Sequence, residues 1–193
     1  TALAHIADPK GEGARACLTV YTQAARDAAD AADARAKVGI SLGPLDGAIV
    51  SVKDLFDVAG EVTRAGSKVL AEEAKPAASD APPVRRLRAG GAVIVAKTNM
   101  TEFAYSGLGI NPHYGTPKNR WRRNVGHVPG GSSSGAAVSI TDGMAHGALG
   151  TDTGGSCRIP AAYNGIVGYK PTARRIPLDG GVPLSFTLDS YGP

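Results

Sequence analysis

Apolar and polar positions along this chain fall into two alternating kinds of pattern, and each kind marks a type of element. Residues 14–36 are rich in alanine with arginine, aspartate and lysine interspersed. Propensity and weak hydrophobicity there predict a surface helix that packs without carrying a functional group. After a break at residues 39–44, the β-branched run Ala48-Ile49-Val50-Ser51-Val52 predicts a strand that ends at Lys53-Asp54. Residues 80–88 read as a short helix with Asp80 as N-cap, Pro82-Pro83 in its first turn and Gly90-Gly91 ending it. Ala92-Val93-Ile94-Val95-Ala96 then predicts a buried strand running into Lys97-Thr98-Asn99, followed by a helical segment over residues 100–105. Helix, strand and helix in this order predict a crossover unit and an α/β layered fold.

The pattern changes after residue 110. Residues 111–128 form a long irregular stretch containing Pro112 and Pro117, and a loop of that length is usually functional or disordered. It leads into residues 126–155, where nine glycines accompany the triplet Ser132-Ser133-Ser134 and a second turn, Thr153-Gly154-Gly155-Ser156. Between the two glycine clusters lie the largely apolar runs 136–140 and 144–149, so both turns belong to a packed core rather than a linker. Glycine lets the backbone approach a bound group closely, and serines beside it supply hydroxyls. The region therefore reads as a functional loop pair.

Composition narrows the classes without choosing among them. With 193 residues, 42% hydrophobic and 20% charged, the chain suits one sizeable core. Three Phe, one Trp and six Tyr leave most of that core to Ala, Val, Leu and Ile. A formal charge of +4 gives no ground for a nucleic-acid partner. The densest basic run, Lys118, Arg120, Arg122 and Arg123 around Trp121, is short and sits among Pro, Asn and Gly, which favours a solvated loop over a base-stacking site. Cys17 and Cys157 are far apart and lack ligand spacing, so neither a disulfide framework nor a metal site is expected, and a reducing cytoplasm fits. No apolar run is long enough to span a bilayer, the first residues lack the regions of a signal peptide, and the absent initiator Met suggests a chain cut or processed at the front.

Two lysines, Lys53 and Lys97, each follow an apolar strand, where desolvation lowers a lysine's pKa and makes it a candidate base. The residues alone leave both open. Gly131-Ser132-Ser133-Ser134-Gly135 matches the G-x-S-x-G nucleophile elbow with Ser133 at its centre. However, proline and glycines stand where that elbow needs a strand, and Asp142 and His146 are too close in sequence to come from separate strand ends. Neither nucleotide-binding loops nor the S-x-x-K signature occurs, which leaves serine plus lysine as the constellation to explain.

The run from Gly130-Gly131-Ser132-Ser133-Ser134-Gly135 through Gly150-Thr151-Asp152-Thr153-Gly154-Gly155-Ser156-Cys157-Arg158-Ile159-Pro160 resembles the signature of the amidase signature family. So do Leu45-Asp46-Gly47, Val52-Lys53-Asp54, Lys97-Thr98-Asn99-Met100-Thr101-Glu102-Phe103, Gly168-Tyr169-Lys170-Pro171-Thr172 and Leu188-Asp189-Ser190-Tyr191-Gly192-Pro193, in family order. The resemblance implies a layered α/β/α fold with a central mixed sheet flanked by helices, here truncated. It divides the chain into a helical lead-in, 1–44, and an incomplete signature core, 45–193.

It also implies a triad of Lys53, Ser132 after a cis peptide bond, and the nucleophile Ser156, with Lys97 structural. Thr153, Gly154 and Gly155 would form the oxyanion hole, and Gly130, Gly131, Ser133, Asp152 and Arg158 would support the site or contact substrate. Asp152 and Arg158 are expected to pair and brace the turn, and Cys157 to be a buried packing residue. The implied activity is hydrolysis of a small-molecule amide through an acyl-enzyme, without cofactor or metal. The alternatives are an amidotransferase subunit for glutamyl-tRNA amidation and a non-catalytic member that binds a ligand. Family members are far longer than this chain, so its principal partner would be the missing C-terminal half of the same protein; a homodimer is compatible. The 193 residues alone are expected to fold poorly with exposed sheet edges.

Overall fold

In the computed structural model, which describes all 193 residues, five short segments pair into one sheet. They are β1 (Cys17–Val20), β2 (Ile49–Lys53), β3 (Val93–Thr98), β4 (Gly147–Asp152) and β5 (Ser190–Gly192), in the spatial order β1-β3-β2-β4-β5. The three central strands run parallel, and the two edge strands are antiparallel to their neighbours, so the sheet is mixed as expected.

Alternation along β3 separates two cores. Val93 and Val95 point into a cluster with Ile6, Ala25, Val138 and Met144, whereas Ile94 points into one with Val52, Phe56, Val84, Met100 and Tyr191. The first face is covered by α1 (Ala2–Ala7), α2 (Gly13–Ala16), α3 (Thr22–Lys37) and α6 (Ser134–Thr141), and the second by α5 (Pro82–Ala89). Helices α4 (Lys68–Glu73) and α7 (Arg158–Asn164) complete the chain. Burying both faces is what makes the central strands read as continuous apolar runs. Edge-to-face contact of Phe56 with Tyr191, 4.6 Å between centroids, ties β5 to the second core.

Three sequence expectations require correction. Residues 14–36 are not one helix: α2 stops at Ala16, and Cys17–Val20 becomes edge strand β1 before α3 begins. Pairing with β3 and burial of Cys17 outweigh the helical propensity of the alanines on either side. Asp80 is not the N-cap of α5; Ala81 holds that position, and Pro82 and Pro83 remove the first two amides that a cap would bond. Asp80 instead accepts from the Ala59 amide at 2.8 Å and pairs with Arg88 at 3.0 Å. Finally, residues 100–105 form only a single 3₁₀ turn, Glu102–Ala104. The amides there are taken by distant partners, Thr101 N–H by Ser132 O and Phe103 N–H by Ala65 O, so no helical ladder forms.

Candidate active site

Lys53 ends β2 in the middle of the sheet, where both neighbouring strands and α6 enclose it completely. Its Nζ donates to Ser132 Oγ at 2.7 Å and to Thr151 Oγ1 at 2.6 Å. Both partners are neutral. Burial pushes the Lys53 ammonium down to about 7, against a weaker opposing pull from Cys157, Asp152 and Asp189. Lys97 sits one strand away and differs in its partner: its Nζ lies 3.0 Å from Asp54 Oδ1 in a fully buried ion pair. Burial drives the Asp54 carboxyl up, with Lys97 acting against it. The two lysines, equivalent in sequence, are thus separated by what surrounds them.

The glycine-serine triplet is held against Lys53 by its backbone. Ser132 O accepts from the Thr101 amide at 3.0 Å, and Gly131 N–H donates to Gly107 O at 2.7 Å. The Gly131–Ser132 peptide is cis. A Cβ on Gly131 would lie 2.6 Å from Gly109 N, so glycine is required there by the close approach of the neighbouring loop. Ser133 sits at the N-cap of α6 and donates its amide to Ser156 O at 3.3 Å, bringing the triplet beside the second turn. Its hydroxyl faces β4, donating to Thr151 O at 3.4 Å, and is nearly fully buried. Asp142 is paired with Arg123, and His146 Nδ1 accepts from the Ile49 amide. No serine-histidine-acid arrangement therefore forms around Ser133.

The second turn leaves β4 at Asp152, whose buried carboxylate gathers five donors: the amides of Gly155, Cys157 and Arg158, and the Nε and NH2 groups of Arg158. Burial alone would raise this carboxyl, but the Arg158 guanidinium and the Cys157 and Arg158 amides hold it below the ordinary carboxylate value. The expected Asp152–Arg158 pair is present, at 2.9 Å. Gly155 N–H, expected to face an oxyanion, is bonded to Asp152 Oδ1 at 2.9 Å because the carboxylate curls under the turn. The amides of Thr153, Gly154 and Ser156 make no such bond. Cys157 is buried, donates to Gly192 O, and burial pushes its thiol up to about 12. Beside the turn opens a depression lined by Gly107, Leu108, Gly154, Gly155, Ile159 and Tyr163.

The sequence profile of the Amidase family matches residues 4–193. The chain belongs to the amidase family. Among curated proteins, this amidase chain is 51% identical over 168 residues to 2-amino-5-chloromuconic acid deaminase of Comamonas testosteroni, covering 87% of the chain and 36% of that protein. It is 48% identical over 178 residues to the glutamyl-tRNA(Gln) amidotransferase subunit of Anaeromyxobacter dehalogenans, covering 92% of the chain and 35% of that protein. Among solved structures, native peptide amidase from Stenotrophomonas maltophilia superposes with a TM-score of 0.88 at 39% identity, over 100% of the chain and 40% of the neighbour. The amidase chain therefore spans little more than a third of the length of the curated relatives it matches.

Of the residues named from the sequence, Lys53 and Ser132 are in direct contact, Ser133 joins them to the Ser156 turn, and Asp152 and Arg158 brace that turn. Thr151 and Asp189 escaped the sequence reading. Thr151 stands directly before Asp152, and Asp189 lies in the last resembling segment, but neither position has a residue type that marks it out in one dimension.

Proposed function

We propose that the full-length protein is a serine amidase that hydrolyses a carboxylic amide through an acyl-enzyme on Ser156. The observation that carries this reading is a wholly buried lysine 2.7 Å from a serine hydroxyl, with hydroxyls as its hydrogen-bond partners and no carboxylate paired to it, where burial pushes its ammonium down to about 7. A neutral lysine has one lone pair and two N–H groups, so Lys53 can donate to Thr151 while accepting the proton of Ser132. Ser132 in turn takes the proton of Ser156 as its Oγ bonds to the amide carbon. The negative charge that develops on the carbonyl oxygen is met by the free amides of Thr153, Gly154 and Ser156. Collapse breaks the carbon–nitrogen bond, and the proton returns through Ser132 to the leaving nitrogen. Water then repeats the sequence on the ester, releasing acid and Ser156. Gly130 and Gly131 shape the relay loop, and the depression beside Gly154 and Gly155 receives the substrate.

The test is Ser156→Ala in the full-length protein against a panel of small aliphatic, aromatic and malonyl-type amides. Turnover should vanish, together with labelling by a serine-directed fluorophosphonate; an unchanged rate would overturn the proposal. A second reading rests on the 48% identical amidotransferase relative: ammonia released at the site is passed on rather than lost. Dependence of amide cleavage on added partner subunits would favour it. No helix is long and apolar enough to cross a membrane, and two free buried thiols suit a reducing compartment such as the cytoplasm.

A further inference from the structure

The Thr153–Ser156 turn is secured at two points, and only one involves Asp152. At the other, Thr153 Oγ1 donates to Asp189 Oδ1 at 2.5 Å. The second oxygen of Asp189 accepts the amides of Leu184 and Ser185 at 2.9 and 3.0 Å, and Asp189 N–H donates to Ser185 O at 3.0 Å. Asp189 immediately precedes β5, in which Ser190 faces Asp152 across the ladder, so the strand pairing places Asp189 alongside Thr153. Gly154, between the two anchors, has nothing within 4 Å of its would-be side chain and no hydrogen bond of its own. The loop that Asp189 organises carries Phe186 and Leu188, both exposed.

We propose that Asp189 is a positioning residue for the oxyanion turn: its carboxylate fixes Thr153 and thereby aims the Thr153 and Gly154 amides at the developing charge, while locking the 184–188 loop to the same point. This rests on Ser156 being the nucleophile. Asp152 holds the turn from below through Gly155 and Cys157, so without Asp189 the Thr153 end is free to rotate while the fold persists. Amides that must lie within hydrogen-bond reach of the oxyanion act only in the transition state, so their misalignment lowers kcat rather than raising KM.

The experiment uses the full-length protein with Asp189→Ala, Thr153→Val and the double variant, with Thr153→Ser as the conservative control. Asp189→Ala should lower kcat roughly 10- to 100-fold with KM changed far less. Thr153→Val should give a similar loss, the double variant no more than either single change, and Thr153→Ser should restore activity because its hydroxyl can still reach the carboxylate. Fluorophosphonate labelling should slow in parallel, with the melting temperature of each variant recorded beside it. Wild-type kcat in Asp189→Ala, additive losses in the double variant, or a loss confined to KM would overturn the inference while leaving the amidase reading intact. A wild-type protein that neither turns over amides nor labels at Ser156 would overturn both.

Discussion

Lys53 and Lys97 follow similar strands and are both buried, yet they are suited to different tasks. Lys53 has only hydroxyl partners, which leaves desolvation to favour its neutral form; Lys97 is held on the Asp54 carboxylate. If neutral Lys53 is the base, kcat/KM should rise with pH through about 7 and fall about tenfold per unit below it, which a pH–rate profile of the full-length protein checks. The same shift bears on stability. Because the folded state binds fewer protons than the unfolded state between pH 7 and 10.5, Lys53 weakens folding increasingly as pH falls across that window and by a constant amount below it. Thermal melts should therefore show Lys53→Met gaining on the wild type as pH drops from 10.5 to 7. Lys97→Met should destabilise instead: it strands the Asp54 carboxyl in the core and costs about 3–5 kcal/mol, measurable by urea unfolding, with Asp54→Leu added in the same chain recovering part of the loss.

Among the elements, the two glycine-rich turns show how backbone proximity dictates residue choice. A Cβ on Gly131 would collide with the Gly109 backbone, whereas one on Gly154 would meet nothing. Gly131→Ala should therefore lower stability by about 1–3 kcal/mol and displace Ser132, with loss of turnover. Gly154→Ala should leave the melting temperature nearly unchanged. A comparison of the two melts tests the packing account directly. The same proximity explains why residues 100–105 fail to form a helix: Asn99 caps the Met100 amide, and Asn111 donates to Met100 O. Their backbone is committed to partners outside the segment, with Thr101 N–H alone reaching the Ser132 loop and Phe103 N–H reaching Ala65 O, which no local propensity reveals.

For the whole molecule, the sheet ends in two short antiparallel edges, and large apolar side chains remain uncovered: Tyr105, Val167 and Phe186 are 80%, 89% and 91% exposed. Given that the matched relatives are about two and a half times as long, we expect the rest of the full-length protein to cover this surface. Residues 1–193 expressed alone should melt with low cooperativity, associate and lack turnover. A monomeric, sharply melting and active 1–193 sample would contradict this. The basic run around Trp121 carries no comparable expectation: Arg123 pairs with Asp142 and Arg120 bonds Thr141 O, so part of its charge is spent inside the protein.

The amino-acid sequence by itself determined whatever depends on local pattern or contiguous motif. Strands β2 and β3 were legible because their apolar runs are short, rich in β-branched residues and preceded by glycine or proline breaks, which favours strand over buried helix, and the family was legible because its glycine and serine segments are contiguous. Tertiary structure alone decided the rest. Strand β1 exists because β3 offers an edge to the Cys17–Val20 segment, and although the family resemblance already implies Lys53 rather than Lys97 as the base, only the fold gives the two their different surroundings: hydroxyl partners 79 or more residues away for Lys53, and Asp54 for Lys97. Thr151 meets Lys53, and Asp189 meets Thr153, through geometry that only strand pairing creates. The physical reason is common to all of these: desolvation, ion pairing and amide direction are properties of a residue's surroundings, and those surroundings are assembled from distant parts of the chain.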